Sequence, residues 1–342
     1  MTDGHPPFNV QALERWLDRG VSGFEGPVSV RQFEGGQSNP TYQLSAASGE
    51  YVLRKRPPGM LLDKAHQIDR EYRVLQALAD SNVPVPRLRG FCEDTTVIGT
   101  SFYVMDFQPG RIFTDPLLPG VPSVERAAIY DSMNETLARL HGVDWRGLGL
   151  ADFGRPAGYL ARQLALWSRQ YIATRTEDTP ALDALRDWLA AHAPPADEAA
   201  IAHGDFRIGN LIVHESEPRV VAVLDWELAT IGHPLADLAY NCMTYRLPAG
   251  HAVAAGFVGA DLATLGIPAE NDYIAAYARR MHRAQLPDWR YFLAFSLFRV
   301  AAIQLGVYAR ALQGNAASRT AQLFGGSYRM VAEAGLAVAR GA

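Results

Sequence analysis

The spacing of apolar residues changes character along the chain. Phe8, Val10, Leu13, Trp16 and Leu17 recur at helical intervals and stop at Gly20, which predicts a short amphipathic helix. Val28, Val30 and Phe33 then alternate with polar residues, Tyr42 and Leu44 do the same, and Tyr51-Val52-Leu53 begins a third run. Gly35-Gly36 and Ser48-Gly49 fall where turns are needed, so this stretch predicts an antiparallel meander. Residues 65–79 place Ile68, Tyr72, Leu75 and Leu78 on one helical face. The segment VPVPRLRGF is extended because of its prolines, and SFYVMDF, 101–107, reads as another strand. From Ser123 onward helical spacing dominates, over 123–141, 158–174, 181–191, 234–246, 271–283, 288–312 and 316–339. Two short strands near 211–214 and 220–224 interrupt it.

This order predicts an α+β fold in two lobes. A small antiparallel sheet lobe with a short leading helix would occupy residues 1–107, and a larger, mostly helical lobe residues 108–342. The seam falls near Phe107-Gln108-Pro109-Gly110, and a cleft between such lobes is a natural ligand site. A length of 342 residues suits two lobes better than one core. A net charge of −4 gives no bulk attraction for nucleic acid. Cys92 and Cys242 form neither a disulfide framework nor a zinc spacing, which fits a cytoplasmic location, and MTDGHPPFNV lacks a signal pattern. The apolar stretch Tyr291 to Leu312 contains Arg299, Gln304 and Arg310, so it reads as a core helix and no membrane partner is expected. Oligomeric state is not legible.

The chemistry concentrates in HGDFRIGN, residues 203–210. Asp205 sits on a loop before two short strands, Asn210 ends that loop, and Asp225 ends the second strand. If those strands form a hairpin, Asn210 and Asp225 meet. An amide oxygen with a carboxylate suits Mg²⁺, which takes few protein ligands and completes its shell with substrate phosphates and water. Asp205 is then free to accept a proton from a hydroxyl, and Arg207 is placed to reach a transferring phosphate. His203, Asp205 and Asn210 match the spacing of the protein-kinase catalytic loop, and Asp225-Trp226-Glu227 stands where that signature has its metal-binding acid. Taken singly, Asp205 and Asn210 are also ordinary turn residues, and His203 reads as a structural brace. A three-acid metal hydrolase site from Asp205, Asp225 and Asp237 is the rival arrangement.

HGDFRIGN, VLDWE and HPLADLAY together resemble the aminoglycoside phosphotransferase and choline kinase superfamily, a small-molecule branch of the protein-kinase-like fold. YVLRKRPPGMLLDKAHQIDREYRVLQAL, DTTVIGTSFYVMDFQPGRIF and YARALQGNAASR are similar to one subgroup, the kinase-like domain fused to acyl-CoA dehydrogenases and its stand-alone bacterial relatives. The resemblance implies an ATP- and Mg²⁺-dependent kinase acting on a small-molecule hydroxyl. It implies phosphate contacts from Ser38 and Asn39, and a cation on the third strand, Arg54 or Lys55, paired with Glu71, with the family's usual spacing favouring Arg54. Adjacent strand residues point to opposite faces, so only one of that pair enters the cleft. It further implies a hinge at Met105 to Gln108, with backbone groups of Asp106 and Gln108 reading adenine, and Asp237 bracing the catalytic loop. Relatives with Gly-Asp-Pro before that brace differ from Gly232-His233-Pro234 here. The acceptor wall is expected on residues 158–175, with Trp167, Gln170 and Tyr171. Arg162, Arg299 and Tyr308 are further pocket candidates. Arg162, Arg169 and Arg175, with no acid between Gly158 and Arg175, point to a neutral or anionic acceptor. The subgroup implies a hydroxy acid or hydroxyacyl-CoA. An aminoglycoside or amino-alcohol kinase and a nucleotide-binding pseudokinase are the alternatives.

Overall fold

The computed structural model describes residues 7–33, 39–57, 68–175, 177–195, 197–312 and 320–341. The chain begins with α1 (Val10–Gly20), whose first turn is capped by Asn9, with Oδ1 accepting the Ala12 N–H at 3.0 Å. The strands β1 (Ser29–Gln32), β2 (Thr41–Ala46) and β3 (Gly49–Lys55) follow, then α2 (Ile68–Leu78), β4 (Leu88–Cys92), α3 (Thr95–Ile98) and β5 (Phe102–Asp106). They form one antiparallel five-stranded sheet in the order β1-β2-β3-β5-β4. The proline-containing stretch read as merely extended thus leads into an edge strand, β4.

Strand alternation divides the sheet into two faces. Leu44, Leu53, Phe102 and Val104 pack with Leu13 and Leu17 of α1, while Val52, Tyr103 and Met105 face α2 and the helical part. The same alternation separates Arg54 from Lys55. Lys55 goes to the α1 side, 4% exposed, with Nζ 5.5 Å from the Phe8 ring centre. Burial lowers its pKa. Lys55 is therefore excluded from the cleft, and Arg54 is the inward cation.

The remainder comprises α4 (Ser123–His141), α5 (Tyr159–Thr174), α6 (Pro180–Ala191), β6 (Ala200–Ala202), β7 (Leu211–Val213), β8 (Val220–Val223) and β9 (Thr230–Gly232). Then come α7 (Pro234–Cys242), α8 (Leu262–Leu265), α9 (Glu270–Arg280), α10 (Trp289–Leu312) and α11 (Thr320–Arg340). By length and composition α10 is apolar enough to cross a membrane, yet it packs against α5, α6, α7 and α11 and is mostly buried. That is why its apolar residues run all round the helix rather than along one stripe.

β7 and β8 pair as the expected hairpin, with Leu211 opposite Val223. The Leu224 N–H donates to the Asn210 carbonyl at 2.8 Å, so the residue before Asp225 is tied to the residue that opens the hairpin. The segment leaving β5 docks on this hairpin. Arg111 exchanges two backbone hydrogen bonds with Val213, at 2.7 and 2.9 Å. Gly110 makes the approach possible, because a Cβ there would lie 2.4 Å from Ile212 Cγ2 and 2.4 Å from the Val213 carbonyl oxygen. Gly110→Ala is expected to destabilise the protein by about 1–3 kcal/mol through overpacking. Chemical denaturation checks this; a midpoint unchanged from wild type would contradict the docking.

Candidate active site

The catalytic loop is built from its brace outward. Asp237, near the start of α7, is buried, and its two oxygens accept the N–H groups of His203 at 2.7 Å and Gly204 at 2.9 Å. His141 Nε2 stands 3.3 Å from the same carboxylate, and its Nδ1 meets the Tyr277 hydroxyl at 2.6 Å. Burial acts to raise the Asp237 pKa, but the hydrogen bond and charge of His141, with His203, hold it below the ordinary carboxylate value. Gly204 adopts φ +82°, and a Cβ there would lie 2.9 Å from the Leu228 carbonyl oxygen. A side chain at 204 would meet both a strained backbone and a clash.

His203 is fully buried. Its Nδ1 accepts the Asp205 N–H at 3.2 Å, which puts the ring proton on Nε2, and Nε2 donates to the Leu224 carbonyl at 2.9 Å. The imidazole is thus the structural brace the sequence suggested, linking the loop to the exit of β8. The missing acid at 233 is also accounted for. His233 caps α7, with Nδ1 accepting the Leu235 N–H at 3.2 Å, and burial lowers its pKa to about 4, which keeps it neutral for that role.

Asp205 is held at both oxygens. Asn210 Nδ2 donates to Oδ2 and to the Asp205 carbonyl, each at 2.8 Å, and Arg207 Nε lies 3.4 Å from Oδ2. Tyr240 of α7 donates its hydroxyl to Oδ1 at 2.5 Å. Burial and the Asp205 charge push the Tyr240 pKa well above the ordinary phenol value, so it acts as a donor at neutral pH. Sequence reading passed over Tyr240; its only signal was a tyrosine three residues after the bracing aspartate, one helical turn on.

Across the cleft, Arg54 gathers acids from distant parts of the chain. Its Nε donates to Glu71 at 2.9 Å, one Nη donates to Asp225 at 2.7 Å, and Glu227 lies 3.9 Å away. Burial pushes the Glu71 carboxyl above its ordinary value while Arg54 draws it back. Asp225 has φ +65° and ψ 62°, a left-handed conformation that aspartate tolerates better than most residues and that marks functional turns. Asn210 spends its amide nitrogen on Asp205, which leaves its oxygen as a hard ligand. Arg54 occupies one Asp225 oxygen and leaves the other. This donor set fits a Mg²⁺ ion. The rival three-acid site is not formed, because Asp237 is committed to the loop backbone and His141.

Two cavities meet at the loop. The first, about 460 Å³, is walled by Arg54, Glu71, Met105, Asp106, Gln108, Asn210 and Asp225 among others. The Asp106 carboxylate is gripped by Arg89 at 2.5 and 3.0 Å, which leaves the backbone as what this residue offers a ligand. Asn39 is buried, its amide has no hydrogen-bond partner among the described residues, and it is not on the cavity wall. Ser38 lies outside the described residues. The second cavity, about 480 Å³, contains Asp205, Arg207 and Tyr240, and shares Gly209 with the first.

The second cavity corrects the expected acceptor wall. Besides the catalytic-loop residues, its lining includes Tyr130 and Met133 of α4, Tyr240 and Asn241 of α7, residues 243–245 and 252–255, Tyr273 of α9, the Val300, Ile303 and Gln304 side of α10 and Phe324 of α11; no residue of α5 lines it. Tyr171 is fully buried and donates to Asp183 at 2.9 Å. Arg162 donates to backbone carbonyls of Arg155 and Ala157, and Arg175 pairs with Asp183 at 3.1 Å. These arginines already have partners outside the second cavity, so they carry no information about the acceptor. Tyr308 packs against Tyr328.

Comparison with known proteins agrees with this geometry. Residues 29–277 match the family model described as "Phosphotransferase enzyme family". The chain is 46% identical over 340 residues to acyl-CoA dehydrogenase family member 11 of Gallus gallus, covering 97% of this chain and 44% of that protein. It spans less than half the length of the curated relatives it matches. A Ralstonia eutropha crystal structure assigned to the aminoglycoside phosphotransferases aligns with a TM-score of 0.90 and 45% identity, covering 98% of this chain and 99% of that one. Spectinomycin phosphotransferase, solved with ADP and spectinomycin, shares the fold with a TM-score of 0.63 at 13% identity, over 97% of this chain and 99% of that one. With the brace, loop, hairpin and cleft in the places kinase-like chemistry requires, the chain belongs to the phosphotransferase enzyme family.

Proposed function

We propose that the protein transfers the γ-phosphate of ATP to a hydroxyl of a small, largely apolar acceptor, with a hydroxy acid or hydroxyacyl-CoA as the favoured class. The observation that carries this reading is the position of Asp205. It lies on the wall of the second cavity, while Asn210 and Asp225, at the other side of the same loop, line the first. A nucleotide in the first cavity and a hydroxyl in the second would meet across that loop.

The chemistry follows from this placement. The acceptor oxygen attacks the γ-phosphorus in line, its proton passes to the Asp205 carboxylate, and the bond to the β-phosphate oxygen breaks to release ADP. Tyr240 and Asn210 fix the carboxylate so that one orientation is presented. Arg207 and Arg54 neutralise phosphate charge. Mg²⁺, held by Asn210 Oδ1 and Asp225, would supply charge neutralisation at the β- and γ-phosphates. Met105 packs behind the adenine, and backbone groups of Asp106 and Gln108 read its edge.

The acceptor class rests on the lining of the second cavity. Asp205 and Arg207 are its only charged lining residues among those described, and the rest is mostly aromatic and aliphatic. A polycationic aminoglycoside would need several acids there. An acceptor with an apolar body fits this surface, and similarity to the acyl-CoA dehydrogenase family proteins makes a hydroxyacyl group the natural form of it. A phosphotransfer screen with labelled ATP tests this directly. Product with hydroxy acids or hydroxyacyl-CoA is expected, whereas product with aminoglycosides alone would overturn the acceptor class.

Asp205→Asn is expected to keep nucleotide affinity and lose turnover by roughly 10²–10⁴-fold, the range of a general base. Single-turnover kinetics beside a binding titration separates the two, and full activity would refute the assignment of the proton acceptor. On the nucleotide side, Asp225→Ala should abolish the metal-dependent part of nucleotide binding, while Lys55→Met should leave binding as in wild type. Equal losses in both variants would contradict the assignment of Arg54, rather than Lys55, to the cleft.

A further inference from the structure

Gln304 is a buried polar residue that the catalytic account leaves unused. It stands on α10, 5% exposed, on the wall of the second cavity. Val300 and Ile303 line the same cavity, and positions 300, 303 and 304 share one face of a helix. The Gln304 side chain therefore leaves α10 on the cavity side. Arg299 is not on this wall; its guanidinium carbon lies 5.2 Å from the Tyr240 ring centre and 5.5 Å from that of Trp167.

The side-chain oxygen of Gln304 is buried and has no hydrogen-bond partner among the described residues. Several other polar side chains of the wall are committed. Tyr130 donates to the Pro116 carbonyl at 2.5 Å, Tyr245 to the Pro268 carbonyl at 2.8 Å, Thr244 to the Asn241 carbonyl at 3.2 Å, and Tyr240 to Asp205. Tyr273 also has an unpartnered hydroxyl, but it borders a smaller cavity of about 290 Å³ as well, which Gln304 does not. A buried amide oxygen without a partner is costly, so this one, set beside Val300 and Ile303, points to a partner that arrives with the ligand.

The chemistry of that partner follows from the amide. A glutamine side chain has one acceptor oxygen and two N–H donors. An ionised carboxylate or phosphate, or a ketone, presents acceptors only and leaves the Gln304 oxygen unpaired. A carboxamide or a hydroxyl both donates and accepts.

We propose that Gln304 recognises an uncharged group of the acceptor that both donates and accepts hydrogen bonds, a carboxamide or a second hydroxyl, while the reacting hydroxyl lies at Asp205. This rests on the reading of the second cavity as the acceptor site and specifies what the acceptor's apolar body carries. It separates an amide-bearing acyl conjugate or a diol from a simple hydroxy acid, whose carboxylate has no donor for Gln304.

The test reads binding without turnover. Hexanamide, hexan-1-ol, heptan-2-one and hexanoate are titrated without nucleotide and followed by ligand-detected NMR. Heptan-2-one has the shape of hexanamide with the NH₂ replaced by a methyl group. Gln304→Met keeps the length of the side chain and removes its hydrogen bonds. It should weaken hexanamide, hexan-1-ol or both about tenfold and leave heptan-2-one and hexanoate within about twofold of wild type. Whichever probe loses more identifies the group as carboxamide or hydroxyl. The same loss should appear when the substitution is made in Asp205→Asn, which excludes the catalytic carboxylate as its source. Equal losses for all four probes, or none, would overturn the proposal. Crystals of the wild type soaked with hexanamide and with hexan-1-ol give an arm that needs no variant. The polar end of one probe should lie at the Gln304 amide; both probes elsewhere, with water alone at Gln304, would overturn the proposal. A probe bound at Gln304 in a protein that transfers no phosphate would leave this site standing and remove the reading of Asp205 instead.

Discussion

The guanidinium of Arg54 is the interaction on which the site depends. It joins β3 to α2 through Glu71 and to the exit of β8 through Asp225, partners 17 and 171 residues away in sequence. Removing one member of such a buried ion pair typically costs about 3–5 kcal/mol, because the other charge is left without compensation. The link therefore holds the sheet, the helix and the β7–β8 hairpin in one register. It also sets the local charge. One cation faces the three acids Glu71, Asp225 and Glu227, an arrangement that favours the arrival of a divalent cation and its phosphates.

A second anchor works from below. Asp237 accepts two successive backbone N–H groups of the loop, and Gly204 supplies the left-handed turn that lets both point at one carboxylate. The loop then delivers Asp205 with both oxygens restrained, one by Tyr240 and one by Asn210. Catalysis by positioning needs this rigidity, since the protein supplies orientation and charge rather than covalent chemistry. The two anchors act on opposite ends of one hairpin, which keeps Asn210 and Asp225, the proposed metal ligands, in a fixed relation to Asp205, the proposed proton acceptor.

Much of this was legible in the sequence because it depends on short-range order. The strand pair near 211–214 and 220–224 with its flanking Asn210 and Asp225 and the brace Asp237 recur in the structure; the helices after Ser123 recur with shifted ends, the one read over 234–246 stopping at Cys242 and the one over 271–283 at Arg280, while residues 316–319 of the last lie outside the described residues. Other features needed three-dimensional register. The family's spacing favours Arg54 over Lys55, and the pairing of Arg54 with Tyr103 and Thr41 in the sheet places it on the side facing α2. The acceptor wall was placed on α5 because periodicity shows that a helix has a buried face, not which neighbour covers it. Tyr171 faces the helical core, and its arginine neighbours hold backbone carbonyls and Asp183. The strands β6 and β9 are three residues each and carry no periodic signal. Tyr240 reads as an ordinary core aromatic until its hydroxyl is seen at Asp205.

The central claim is that the first cavity holds a metal-bound nucleotide. Calorimetric titration of the wild-type protein with a slowly hydrolysed ATP analogue, with and without Mg²⁺, tests it most directly. The account predicts saturable binding at one site per chain that weakens sharply when the metal is omitted. A folded protein that binds no nucleotide under either condition would contradict it, and binding indifferent to the metal would remove Asn210 and Asp225 from their assigned role.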